Sequence, residues 1–138
     1  MGLPHAAEAR LYYRAARQRY ADAQWLLSGD RTTGAVYLAG YTVECFMKAL
    51  VLAGASPVLR KQLLGEFHGS RAHNIEWLAK LYRRHIGLVI PIRITQKISR
   101  IATWSTDLRY ATGAINELDA REFFESVDAV SSWADGRM

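Results

Sequence analysis

At 138 residues the chain is sized for one domain with a proper core. Half of its residues are hydrophobic, which excludes a disordered chain. The formal net charge of +5 admits an anionic partner such as RNA, a nucleotide or an acidic protein, although moderate basicity also serves solubility alone. The single cysteine, Cys45, excludes a disulfide within the chain and fits a reducing cytoplasm. The first ten residues show no apolar signal region, so a cytoplasmic location is expected.

The first helix is expected from about Ala6 to Leu27. Tyr12, Ala16, Arg19 or Tyr20, Ala23 and Leu27 follow helical spacing, and Leu11, Ala15 and Leu26 widen the apolar side. Arg10, Arg14 and Arg17 share another face. They read either as a phosphate-contacting stripe or as a solvated face paired with Glu8 and Asp22. Ser28-Gly29-Asp30 ends the helix, with Gly29 suited to the left-handed turn. Asp30, Thr32 or Thr33 is placed to cap the next helix, and so short a link predicts antiparallel packing.

The chain is organised around Ala35 to Leu52, apolar on nearly all sides as a core helix is. Only Thr42, Glu44, Cys45 and Lys48 interrupt it. Glu44 and Lys48 are four apart with the acid first, the favourable order for one helix. Those charges fall mid-stretch, and the uncharged run before Glu44 is too short for a membrane span. Gly40 beside Ala39 leaves room for a neighbouring helix.

Pro57 starts a short helical turn through Leu64, and Gly65 to Ser70 reads as a loop. A third helix runs from His73 or Asn74 to Arg84, with Ile75, Leu78, Leu81 and Tyr82 inward, Trp77 at the edge and Gly87 as its stop. A fourth covers about Ile92 to Thr103, because Ile94, Ile98 and Ile101 step by four and three; a short β-branched strand is the alternative. Arg93, Lys97 and Arg100 form its other face. Ser105 to Leu118 reads as irregular. Asp119-Ala120-Arg121-Glu122 reads as a capping box for a last helix with Phe123, Phe124, Val127, Val130 and Trp133 inward.

The residues carry few catalytic signals. His68 and His73 have no carboxylate or cysteine at ligand spacing, so no metal is expected. Phosphate-cradling glycine loops and a nucleophile elbow are missing from the sequence. Cys45, inside the apolar helix, reads as an inert thiol. No cofactor is called for.

Gly34-Ala35 followed by Tyr41-Thr42-Val43-Glu44-Cys45-Phe46-Met47-Lys48-Ala49-Leu50 resembles the second helix of HEPN domains (higher eukaryotes and prokaryotes nucleotide-binding). Ala72-His73-Asn74-Ile75 and Trp104-Ser105-Thr106-Asp107-Leu108-Arg109-Tyr110 follow in the family's order, and the likeness covers about residues 8 to 134. It implies an all-α, HEPN-like bundle of four long helices plus a short helix, filling residues 1–138 as one domain. Many HEPN proteins are metal-independent endoribonucleases whose motif is an Arg, four to six residues, then a His. Here no His has an Arg at that spacing. Lys80 and His85 are the nearest match, with Lys in place of the bidentate Arg. They equally read as a solvent-facing Lys and a helix-end His.

The resemblance therefore implies a non-catalytic binding domain, with ribonuclease activity at Lys80 and His85 the alternative. Glu44 and Lys48 correspond to the family's helix-two polar pair, His73 to its helix-opening His, and Arg109-Tyr110 to its late loop motif. These five are the candidate ligand residues, with a guanidinium for an anion and a ring for a base. A structural reading stands beside it: Glu44 as a buried acid held by Arg109 or Lys48, and His73 as a helix cap. The expected partners are a second copy of the chain, a nucleotide or RNA, and a cognate protein such as a minimal nucleotidyltransferase in a stress, defence or toxin–antitoxin setting. Neither a membrane nor DNA specificity is expected. Arg10, Arg14, Arg17, Arg93, Lys97 and Arg100 are the candidate nucleic-acid contacts.

Overall fold

The computed structural model describes residues 3–87, 89–107 and 113–138, with 104–107 described by backbone alone. The described residues form six α-helices and no strand: α1 (Ala7–Ser28), α2 (Thr32–Ala53), α3 (Pro57–Glu66), α4 (Ile75–His85), α5 (Ile92–Asp107) and α6 (Glu117–Asp135). A single 3-10 turn, Ser70–His73, leads into α4. Four helices are long and two, α3 and α4, span 10 and 11 residues. The class is all-α.

Helix α2 is the axis of the molecule, packed by α1, α4, α5 and α6. Its length and composition would suffice to cross a membrane. Neighbouring helices instead bury nearly all of its surface, including Val36, Val43, Met47, Val51 and Leu52.

Helix α1 lies antiparallel to α2. The Leu26 side chain meets Gly34, Tyr13 packs edge-on against Phe46, and Tyr12 reaches Lys48. Ala9, Ala16 and Ala23 recur every two turns on the buried face of α1, and Ala35, Ala39 and Gly40 are buried on α2. Leu11, expected on the apolar side, is instead 69% exposed, and Tyr13 holds the inward position.

The link between these helices differs from expectation. Gly29 has φ −95°, and Asp30 takes the left-handed conformation at φ 60°. The Arg31 amide donates to the Leu26 carbonyl and the Asp30 amide to that of Leu27, a Schellman closure with Asp30 at the left-handed position. Asp30 does not cap α2 and neither threonine does. Thr32 Oγ1 donates to the Ile115 carbonyl at 2.8 Å, and Thr33 Oγ1 donates to that of Gly113. Two hydroxyls at the start of α2 thus tether the segment before α6.

Helix α3 begins at Pro57, with the Ser56 hydroxyl capping the Leu59 amide at 3.3 Å. Arg60 donates to the carbonyls of Leu52 and Ala55, satisfying the open end of α2. Helix α4 is capped by Asn74, which accepts from the Trp77 amide at 3.0 Å. Ile94, Ile98 and Ile101 are buried on α5, so the helical spacing is realised and the strand alternative is not.

Two boundaries move. Helix α5 continues to Asp107, and α6 begins at Glu117, not after Asp119. Asn116 is the cap: its Oδ1 accepts from the Leu118 amide at 2.8 Å and from Asp119 at 3.4 Å. Asp119 lies in the first turn, where an acid suits the helix dipole.

Candidate functional site

Three of the five candidate ligand residues meet at one place. Glu44 points from α2 and is 6% exposed. Its Oε2 accepts from Lys48 Nζ at 3.0 Å, one turn on. His73 arrives from the 3-10 turn, and its Nδ1 lies 3.2 Å from Oε2 and 3.3 Å from Oε1 of Glu44. An ionised carboxylate only accepts, so Nδ1–H donates in this contact. The His73 side chain is 52% exposed, so the carboxylate orients a ring open to solvent. His73 is not the helix cap; Asn74 is.

Lys48 is as buried as Glu44. Its ammonium lies 5.5 Å from the ring centroids of both Tyr12 and Phe67. Two ring faces thus replace part of the water that a charge loses on burial.

The aromatic cluster extends in both directions. Phe67 meets Trp77 edge-on at 6.4 Å, and the Arg71 guanidinium lies 5.2 Å from the Trp77 ring. On the other side Tyr41 meets His73 at 6.5 Å, and Tyr37 meets Tyr41 at 5.2 Å with their hydroxyls 3.2 Å apart. A continuous run of contacts leads from Tyr37 to Arg71. His73 and Arg71 are exposed, and Tyr41, Phe67 and Trp77 are half-buried. Arg71, Tyr41, Phe67 and Trp77 were missed by the sequence reading. Arg71 stands two residues before His73 and Trp77 three after Asn74, a spacing that does not announce one site until the 3-10 turn folds it.

Arg109 and Tyr110 lie outside the described residues. Each basic stripe has one member engaged within the fold. Arg10 donates to the carbonyls of Pro4 and His5 at the start of the chain. Arg14 and Arg17 are exposed, but Glu8 and Asp22 pair elsewhere, with Arg60 at 3.9 Å and Arg19 at 3.0 Å. Arg93 is exposed and Lys97 half-buried. Arg100 lies 3.8 Å from Glu122 and shares a small recess with Asp119, so acidic groups of α6 border that stripe. The stripes sit on α1 and α5, which are not main packing partners.

Lys80 is exposed and His85 half-buried on α4. Five residues of helix separate their directions by about 140°, so one phosphate is not gripped by both. Among the described residues no three of His, Cys, Asp and Glu stand close enough to hold a metal ion. Cys45 follows Glu44 on α2, and burial first, then the Glu44 carboxylate, push its thiol up to about 11.

The arrangement offers two exposed cationic or proton-bearing groups beside rings of mixed exposure. That chemistry suits a planar, anionic ligand. No family model, curated protein or solved structure matches the chain.

Proposed function

We propose that the chain is a HEPN-like, non-catalytic domain that binds a nucleotide unit, free or within single-stranded RNA, at the mouth formed by His73, Arg71 and Trp77. The observation that carries this is His73: a half-exposed imidazole fixed through Nδ1 by the buried Glu44 carboxylate. The Arg71 guanidinium over the Trp77 ring adds a phosphate partner beside an aromatic surface. Support for the HEPN likeness is the all-α class, the central α2, and the pairing of Glu44 with Lys48 within it. The Lys48 charge is consumed by Glu44 and two rings, so its role is to hold the carboxylate that holds His73.

Calorimetric titration with a mononucleoside monophosphate and with a short oligouridylate tests the reading, using wild type, Arg71→Ala and His73→Gln. Both substituted residues are exposed, so the fold should survive. Each variant should weaken binding, and RNA affinity should fall with salt as counterions are released. Binding of the oligomer alone would assign the site to RNA. No binding by wild type at low salt, or binding indifferent to both substitutions, would sink the proposal.

A further inference from the structure

The turn between α4 and α5 carries two of the three most exposed large apolar side chains among the described residues: Val89 at 84% and Ile92 at 78%. The cause is local. Ile90 between them is buried, and so is Ile94 in the first turn of α5. These two pin the segment from inside, and the outward positions fall to Val89 and Ile92. From Ile86 to Ile92 the sequence holds no polar side chain at all. Apolar side chains left in the open next to one another mark a contact surface more often than a lone one does.

Cations flank this tip on both sides. Arg83 and Arg84 close α4, and Arg93 follows Ile92 in the first turn of α5; all three are exposed. Arg83 donates to Thr95 Oγ1 at 2.8 Å. Thr95 lies one turn beyond Ile92, so the bond holds that guanidinium beside the Ile92 face. Among the described residues Arg84 and Arg93 make no hydrogen bond or ion pair, and Arg83 none beyond Thr95. The sequence has no Asp or Glu from Trp77 to Thr106, yet it holds six Lys and Arg there. The α4–α5 hairpin therefore has no acid of its own to neutralise them. Glu122 of α6 meets Arg100, two turns further along α5 than Arg93.

Charge fits the tip to an anionic partner, and the apolar pair selects among such partners. No aromatic residue lies between Tyr82 and Trp104, so the tip offers no ring on which a base of single-stranded RNA would stack. The aromatic anchors common in protein interfaces are missing for the same reason. A lipid headgroup layer needs neither a ring nor a preformed pocket. It admits projecting aliphatic side chains and offers phosphates to the guanidiniums around them. The sequence argued against a membrane because α2 is a core helix and not a span, but lying on a surface requires no span.

The geometry points to the α4–α5 tip as a docking surface for an anionic phospholipid membrane. Val89 and Ile92 enter the headgroup layer, and Arg83, Arg84 and Arg93 pair with lipid phosphates. Only two side chains enter, so association is weak and reversible. The tip stands at the opposite end of α4 from His73, and the nucleotide mouth stays open while the tip is docked.

Flotation with vesicles of phosphatidylcholine alone, and of phosphatidylcholine mixed equally with phosphatidylglycerol, reads this directly. Wild type should float with the anionic vesicles only, and less as salt rises. Arg84→Gln with Arg93→Gln should weaken partitioning about twenty-fold, at about fivefold per cation. Val89→Ser with Ile92→Ser should weaken it about tenfold or more while leaving the net charge unchanged. All four residues are exposed, so both variants should keep the wild-type circular dichroism. A measurement without those variants uses an environment-sensitive fluorophore on Ile92→Cys in a Cys45→Ala background. Its emission should shift to the blue with anionic vesicles, and the same label on Gln18→Cys, on α1, should not shift. No flotation of wild type at low salt, or flotation indifferent to the Val89 and Ile92 substitutions, would overturn the inference; the second result would mean adsorption by net charge alone. Oligouridylate binding that falls in the Arg84 and Arg93 variant, with vesicle binding intact, would give the tip to nucleic acid instead. A wild-type dimer made monomeric by the Val89 and Ile92 substitutions in sedimentation would give it to a second copy of the chain. Either outcome overturns the membrane reading.

Discussion

His73 Nδ1 stands 3.2 Å from Glu44 Oε2, a half-exposed ring bound to a carboxylate whose side chain is 8% exposed. The same oxygen accepts from Lys48 at 3.0 Å. One buried acid therefore serves a buried cation from its own helix and a surface ring from 29 residues further along the chain. That is a costly thing to build into the middle of a core helix. Its energetics separate what holds the fold from what faces a ligand.

Lys48→Met should destabilise the protein by about 3–5 kcal/mol, because it leaves the Glu44 charge buried without its main partner. Pairing it with Glu44→Gln should recover most of the loss, since the two charges leave together. His73→Gln should cost far less, because the ring is half in solvent. Urea unfolding of the four proteins checks the order. A double variant no more stable than Lys48→Met would show that Glu44 is held by something else.

Asn116→Ala should cost about 1 kcal/mol, the usual worth of an N-cap side chain. Asp119→Ala should cost only the few tenths that an acid in the first turn contributes through the helix dipole. Thermal or denaturant unfolding distinguishes them. The reverse order would restore the capping box at Asp119 to Glu122.

The helices were legible because their apolar spacing is strong. Ile94, Ile98 and Ile101 could face one way only as a helix, and the run from Ala35 to Leu52 had too little polar surface for anything but the core. The ends were less legible. Asn116 and Asp119 are both good caps by residue type, and only the backbone decides which one has the amides in reach. Of the site, Glu44 and Lys48 were readable because one turn of helix separates them. That His73 reaches Glu44 depends on the 3-10 turn, which brings together residues far apart in sequence. Leu11 misled for a physical reason: helical spacing marks a face as apolar, but the alanine face of α1 fits closer to α2 and wins the interior.

Asp30→Gly should stabilise the chain by about 1 kcal/mol. Asp30 holds φ 60°, which costs a residue with a Cβ about that much and costs Gly nothing. Its carboxylate makes no hydrogen bond or ion pair among the described residues, so little is lost with it. The mirror case is Gly87, at φ 75° beyond the end of α4, where Ala should destabilise by a similar amount. Unfolding midpoints of the two variants should move in opposite directions. A destabilised Asp30→Gly would mean that the side chain contributes more to the turn than its backbone strain costs.

Cys45 supplies the pH test. Burial, then the neighbouring Glu44 carboxylate, raise its thiol from 9.0 to about 11, while Lys48 and Arg19 pull the other way. At pH 8 the folded protein should therefore carry about a hundredfold less thiolate than an unfolded chain, and iodoacetamide should modify it correspondingly slowly. The same shift sets a stability slope. Below pH 9 the thiol is protonated in both states and contributes nothing to the slope. Between pH 9 and 11 the unfolded chain releases the proton and the folded one keeps it, so stability falls as pH rises through that window. Burial raises Tyr13 and Tyr82 as well, which adds loss of the same sign at higher pH. The difference between wild type and Cys45→Ala isolates the thiol. The variant should lose less stability from pH 9 to 11 than wild type does. Equal slopes, together with alkylation at pH 8 as fast in the folded protein as in urea, would show that Cys45 is open to solvent and that α2 is not enclosed on that side.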